Sequence, residues 1–318
     1  MSEFSLFPGI YQDGLKTPKV VNVASVPQRS PFRYPGGKTW LVPLFRRWME
    51  SLQRPKCLVE PFTGGGTISL TAVFENLTER ALMVEMDKEM AAAWQTIIGD
   101  DREWLTKKIL NFDLTRESAV IELATKRKTL REIAFQTILK NRTFHGGILA
   151  EGAGFVKNGE NGKGILSRWY PQTIARRIRN IGLVAHKIDF VCADGLETLA
   201  KNKNKKDVVY FIDPPYTAGG KKAGSRLYNH CDLDHEKLFE TCEELSGEFL
   251  MTYDNAPEVR DLARRHYFQM KPVAMKNTHH AEMTELLISR DLSWLEEVPC
   301  VKDRRSPYLV GPSRSKKH

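Results

Sequence analysis

"KCLVEPFTGGGTISLTAVFE", residues 56–75, sets a short apolar run against three contiguous glycines, followed by apolar residues at Ile68, Leu70, Ala72, Val73 and Phe74. It reads as a buried strand, a tight turn and a helix, the unit from which parallel sheets with helices on both faces are built. Such a turn sits at a helix N-terminus, where backbone N–H groups face a ligand, and glycines let the backbone approach without a Cβ in the way. With glycine at 64, 65 and 66, the stretch lacks the G-x-G-x-x-G spacing of the dinucleotide fingerprint.

Six more strand candidates continue the alternation: "RALMVEMD", "KIDFVCAD", "DVVYFIDPPY", "EFLMTYDN", "HYFQMKPV" and "TELLISR". Most are separated by helix-length segments such as 234–247 and 256–265, and the last two are close enough to form an antiparallel pair at the edge. "TWLVPLFRRWM" places apolar residues at 40, 41, 44, 45 and 48, a helical spacing with Pro43 tolerable in the first turn. The pattern predicts an α/β fold with a mostly parallel sheet. From about 100 to 185 the alternation stops: a helical stretch, "REIAFQTILKNR", leads into a basic, aromatic and glycine-rich run without a sustained period. We read four parts: an extension at 1–28, a discontinuous domain at 29–99 and 186–295, an insert at 100–185, and a basic tail at 296–318.

The 318 residues suffice for one core plus a smaller lobe, since single cores stop growing at roughly 250–300 residues. Hydrophobic residues make up 41% and charges of both signs are present, which excludes a disordered chain. Five scattered cysteines include no C-x-x-C pair, so no metal site or redox centre is expected and a reducing compartment fits. No apolar run reaches the roughly 20 residues that cross a bilayer, and the first residues lack a signal pattern. A cytoplasmic protein with no membrane partner is expected. Between Lys126 and Asp189, 13 lysines and arginines stand against four acids, an excess equal to the net +9 of the whole chain. That block suits a polyanion, or is a solvated helical face.

"PFRYPGGKTW", residues 31–40, looks like the end of a phosphate-binding loop, but the glycine required five positions before Gly37 is Phe32. A nucleoside triphosphatase is excluded on that ground. Glu85 lies 19 residues after Gly66 at the end of the next strand, where an acid can accept both hydroxyls of a ribose. Together with the glycine turn it indicates an adenosine-bearing cofactor. Asp194 can accept from an adenine amine, or cap the helix "GLETLAKN". In "VVYFIDPPY" an apolar strand delivers Asp213 to its carboxyl end, Pro214 and Pro215 stiffen the chain, and Tyr216 offers a flat face. The Asp213 carboxylate and the Pro214 carbonyl can both accept from an exocyclic NH₂, drawing its nitrogen toward tetrahedral geometry and freeing its lone pair. Tyr216 can stack on the ring.

These motifs, in this order, resemble the Dam-like (alpha-group) family of S-adenosylmethionine-dependent DNA adenine-N6 methyltransferases. The resemblance covers about residues 30–290: an aromatic-x-G-G-K motif at Tyr34 to Lys38, P-F-x-G-G-G at Pro61 to Gly66, the strand-end acid Glu85, an insert at 100–185, and D-P-P-Y at Asp213 to Tyr216. It implies a Rossmann-like methyltransferase fold with an inserted, mainly helical target-recognition domain. It implies S-adenosyl-L-methionine as cofactor, held by Tyr34, Gly36, Lys38, Pro61, Phe62, Gly64, Gly66, Glu85, Asp194 and Asp213, with Lys38 reaching carboxylates rather than phosphate. The catalytic set is then Asp213, Pro214, Pro215 and Tyr216, acting on an adenine flipped out of duplex DNA at a cost of a few kcal/mol.

"KNRTFHGGI" resembles the family's N-R-x-x-F/Y-N-G segment, with His145 in place of its Asn. Lys140, Asn141 and Arg142 are thereby assigned to placing DNA or ordering the lobe, and Arg176, Arg177 and Arg179 to gripping its backbone. Trp169 and Tyr170 read as core or as base-stacking residues. The resemblance implies a monomer of bacterial or phage origin and allows a cognate restriction or defence partner. Cytosine-N4 methylation uses the same geometry and stays open, as does a non-catalytic DNA-binding relative. Cytosine-C5 chemistry is rejected, because Pro299-Cys300 lies beyond the last strand and far from the other motifs.

Overall fold

Every residue of "VVYFI", Val208–Ile212, is buried. Alternate side chains of this strand enter two different cores: Tyr210 and Ile212 join one, Val209 and Phe211 the other. A strand with no solvent face must be central in a sheet that is covered on both sides. A computed structural model, which describes residues 26–33, 36–150, 152–215, 233–276 and 282–295, places it there.

The strands are β1 (Cys57–Glu60), β2 (Arg80–Val84), β3 (Ile188–Val191), β4 (Val208–Ile212), β5 (Phe249–Asp254), β6 (Gln269–Lys276) and β7 (Glu282–Ser289). They form one sheet in the order β3-β2-β1-β4-β5-β7-β6. The first five strands are parallel, and β7 enters antiparallel between β5 and β6. All seven strand candidates are present, and the closing antiparallel pair lies at the edge as expected. The order reverses between β1 and β4, so the crevice at their carboxyl ends is where a ligand belongs in such a sheet.

Helix α1 (Val42–Ser51) starts with Pro43 in its first turn and buries Phe45 and Trp48 on one face of the sheet. The glycine turn opens α2 (Thr67–Phe74). Asp87 starts α3 (Lys88–Ile98) by accepting from the N–H groups of Glu89 and Met90, both at 2.9 Å. The stretch 100–185 holds four helices: α4 (Arg102–Asn111), α5 (Arg116–Ala124), α6 (Leu130–Thr143) and α7 (Pro171–Val184). Capping boxes Thr115/Ser118 and Thr129/Glu132 start α5 and α6. Among the described residues the helices that follow are α8 (Gly195–Asn202), α9 (His235–Glu243) and α10 (Pro257–Arg265).

Helix α7 lies in the stretch whose sequence shows no sustained period. Its buried residues, Ile174, Ala175, Ile178 and Ile181, do fall on one face, and the arginines between them mask the pattern. Helices α4, α6 and α7 share one buried cluster with α3 and β2, in which Met83, Trp94 and Ile97 pack with Leu105, Phe135, Ile138 and Ile178. Trp169 is buried in that cluster, edge-on to Phe112 at 6.1 Å, whereas Tyr170 is exposed. Trp169 is therefore core. Because this cluster is continuous, Phe135→Ala is expected to cost about 3–5 kcal/mol, the usual range for emptying a buried phenylalanine site. A denaturant titration followed by circular dichroism should show one transition moved to lower denaturant, with no separate early step for the helical region.

Candidate active site

The carboxyl ends of β1, β2 and β4 and the start of α8 border one cleft. Among the described residues its lining includes Gly36, Lys38, Pro61, Phe62, Gly64, Gly66, Glu85, Asp194, Asp213, Pro214 and Pro215. All the described residues assigned from sequence to the cofactor or the chemistry thus meet in one place. Tyr34 and Tyr216 lie outside the described residues. The 100–185 region adds Gly147, Leu149 and Ala150 to the wall.

The glycine turn is held from below. Gly66 has φ +64°, and a Cβ there would lie 2.7 Å from the ring of Trp94. The Trp94 indole N–H donates to the Gly64 carbonyl at 2.9 Å. Glycine at 66 is thus required by the turn and by the tryptophan beneath it. Glu60, at the end of β1, is buried and accepts from the Ser69 N–H at 3.0 Å and from the Ser69 hydroxyl. It fastens the first turn of α2 to the strand.

Glu85 closes the opposite side of the turn. One carboxylate oxygen accepts from the Gly64 N–H and the other from the Asp87 N–H, each at 3.0 Å. A carboxylate oxygen carries two lone pairs, so both retain capacity to accept from a bound diol. Burial pushes the Glu85 carboxyl up to about 7, and Glu60 to about 8, above their ordinary 4.5. Asp194 accepts from the Glu197 N–H at 2.9 Å, so it caps α8 while also bordering the cleft. The capping reading of this residue is the one the hydrogen bond shows.

Asp213 follows the last residue of β4. The Thr252 hydroxyl donates to its Oδ1 at 2.7 Å, and Lys38 Nζ lies 2.9 Å from its Oδ2. Lys38 also donates to the Gly36 carbonyl at 2.8 Å and faces Glu285 Oε2 at 3.5 Å. The lysine of the G-G-K motif thus meets two carboxylates of the chain itself. Thr252 and Glu285 went unnoticed in the sequence, yet Thr252 is a small polar residue between buried Met251 and Tyr253 in "FLMTYD", and Glu285 is an acid that directly precedes the buried run Leu286, Leu287 and Ile288 in "TELLIS".

The six residues assigned to DNA are placed unequally. Asn141 is buried, with its amide donating to the Arg33 and Gly147 carbonyls at 2.6 and 3.0 Å while its oxygen accepts from the Arg33 N–H at 2.8 Å. Arg142 is buried and donates to the Pro31 carbonyl. These two order the lobe rather than face outward. Lys140 pairs with Glu89 at 2.6 Å and Arg179 with Glu103 at 3.1 Å. Arg177 is half-buried on the Ser30 carbonyl at 2.9 Å, and Arg176 is exposed. Among the described residues no cluster of His, Cys, Asp or Glu can hold a metal ion, and no helix is long and apolar enough to cross a membrane.

A parallel sheet of this order, with a glycine turn after β1, an acid after β2 and Asp-Pro-Pro after β4, is the architecture of a Rossmann-like methyltransferase. The chain matches the family described as D12 class N6 adenine-specific DNA methyltransferase over residues 34–278. It belongs to that family, so S-adenosylmethionine is its methyl donor and the adenine N6 amine of DNA its acceptor. No curated protein matches the chain. Among solved structures it is similar to a SAM-dependent methyltransferase from Agrobacterium tumefaciens, at 10% identity and TM-score 0.37, covering 79% of this chain and 60% of that one. It is also similar to a putative RNA methyltransferase from Pyrococcus horikoshii, at 12% identity and TM-score 0.37, covering 81% and 84% of the two chains.

The raised carboxyls predict how the ligand-free protein responds to pH. Glu60 and Glu85 hold protons in the folded state that the unfolded chain releases near 4.5, so each contributes stability that is lost as pH rises toward about 8 and about 7. Their combined contribution should make the melting temperature fall between pH 5 and pH 8. Glu60→Gln should flatten that fall in thermal melts across the range.

Proposed function

We propose that Asp213 and the Pro214 carbonyl receive the N6 amine of a flipped-out adenine, with Glu85 and the glycine turn holding the donor. The observation that carries this is the position of Asp213: fixed at both oxygens, at the switch point of the sheet, in the same cleft as Glu85 and the glycine turn. When bound, the donor supplies an electrophilic methyl group on a sulfonium. The target amine, its lone pair freed by Asp213 and the Pro214 carbonyl, would take that methyl group with the thioether leaving, and its surplus proton would pass to water. Acceptance by Asp213 grows as the nitrogen becomes tetrahedral, so the interaction stabilises the transition state more than the ground state. The aspartates lining the cleft, Asp87, Asp194 and Asp213, favour a cationic donor. By resemblance, Tyr216 stacks on the base and Tyr34 completes the donor site.

Residues 100–185 act in this reading as the target-recognition region. Arg33, Arg142, Arg168 and Arg177 lie near one another, and their mutual repulsion adds to burial in pushing Arg142 down to about 9. Arg33 is lowered for the same reasons, by burial and then by Arg168. Concentrated positive charge of this kind is relieved by phosphate. The free thiols Cys57, Cys192 and Cys242 suit a reducing cytoplasm, bacterial or phage-directed. We take the working unit as a monomer and a restriction or defence system as the setting for any partner.

Asp213→Ala, checked for folding, should leave cofactor and DNA binding near wild type and lower single-turnover methylation of adenine by roughly 10²-fold or more, the scale for one lost stabilising group. A wild-type rate would sink the proposed chemistry. For DNA, Arg33→Gln with Arg176→Gln should reduce the slope of log affinity against log salt by about 0.9 for each phosphate that is no longer neutralised. Arg179→Gln, whose guanidinium is taken by Glu103, should leave that slope in place.

A further inference from the structure

Glu285 is an acid where the sheet supplies every reason for an apolar residue. Leu286, Leu287 and Ile288, which follow it on β7, have no exposed surface, and Glu285 itself is 4% exposed. Burying a carboxyl at such a point is costly unless it is paired. Among the described residues its Oε2 accepts no hydrogen bond within ordinary limits, and the ion contact it has is Lys38 Nζ at 3.5 Å. Lys38, also 4% exposed, stands between this oxygen and Asp213 Oδ2. The groups facing Glu285 are Lys38 from the turn before α1, Asp213 after β4 and Asp254 in register on β5, while its neighbour in register on β6 is the uncharged Val273.

We propose that Glu285 is a positioning residue for methyl transfer: it shares the Lys38 ammonium with Asp213 and thereby sets how strongly Asp213 accepts from the target amine. This rests on the role given above to Asp213. With Glu285 ionised, the ammonium is drawn toward two carboxylates and part of the Asp213 charge is left for the amine. With Glu285 neutral, the full field of Lys38 falls on Asp213 and weakens its acceptance as the nitrogen develops positive charge. The change falls in the working pH range, since burial first, then Asp213 and Asp254, hold the Glu285 carboxyl at about 7 against the opposing pull of Lys38. Methylation should therefore rise with pH through this region.

The test is the single-turnover rate with S-adenosylmethionine and duplex DNA both saturating, from about pH 6 to pH 8.5, so that the titration of Glu85 does not enter through cofactor binding. Wild type should show an acid limb near pH 7. Glu285→Gln keeps the shape and removes the charge; it should bind the cofactor within about twofold of wild type, run roughly tenfold slower at pH 8, the effect of about one unit of acceptor basicity, and lose the limb. Glu285→Asp, which keeps the charge, should recover the limb and most of the rate. A wild-type profile flat through pH 7 overturns the inference, as does a Glu285→Gln profile that keeps the wild-type limb, whether at full or reduced rate. Should Glu285→Gln melt early, the wild-type and Glu285→Asp profiles decide alone. Wild type failing to methylate adenine would instead sink the reading of Asp213.

Discussion

The constraint on which the rest depends is that β4 has no solvent-facing side chain. Val208 to Ile212 can be buried only if both faces of the sheet are covered, which requires parallel neighbours and the helices that connect them. The first residue past this strand is Asp213, and it emerges at the floor of a cleft without bulk water on all sides. Its charge has to be met by the protein. Thr252 from the adjacent strand meets one oxygen and Lys38 the other, so the central strand fixes both where this carboxylate sits and what must surround it. A carboxylate held at both oxygens needs little reorganisation when a substrate nitrogen arrives, which is the condition under which electrostatic stabilisation is large.

Much of this was legible in the sequence because the signals are local. An apolar run of four or five residues followed by Gly-Gly-Gly or Asp-Pro-Pro marks a strand and the turn after it, whatever lies elsewhere in the chain. Seven strands were read from such apolar runs, and the core of the cleft from the turns that follow β1 and β4. What was hidden depends on contacts between distant segments. Trp94, which lies 30 residues beyond the Gly64 carbonyl it bonds, is why Gly66 has no room for a side chain. Glu285 lies far along the chain from Asp213, and Lys38, near the other end, stands between them. Helix α7 was obscured by composition: its arginines fall between the isoleucines that make its apolar face, so the charge was evident and the period was not.

The arginines and Asn141 of α6 and α7 do something that a reading based on net charge misses. Three side chains, Asn141, Arg142 and Arg177, reach the backbone of residues 30–33. In the chain that segment shortly precedes Gly36 and Lys38, which line the cleft. Asn141 also holds Gly147, where a Cβ would lie 2.6 Å from the Arg33 carbonyl, and Gly147 itself borders the cleft. The region carrying the positive charge and the segment that precedes Lys38 in the chain are therefore tied together. They also share the buried cluster around Trp94 and Phe135.

This construction separates two electrostatic tasks that would conflict in one place. Acids crowd the cleft, where a sulfonium must be held and an amine must lose electron density to a methyl group. Arginines crowd the surface of the helical region, where phosphates would have to be neutralised. The two fields meet where residues 30–33, whose backbone is held by the basic side, come before Lys38, which is sealed between carboxylates on the acidic side. A lysine left in water there would be one more group for phosphate to pair with; buried between Asp213 and Glu285, its charge acts on the strength and direction of a single acceptor. The depth of Lys38, more than its identity, is what turns a sequence resembling a phosphate loop into part of a methyl-transfer site.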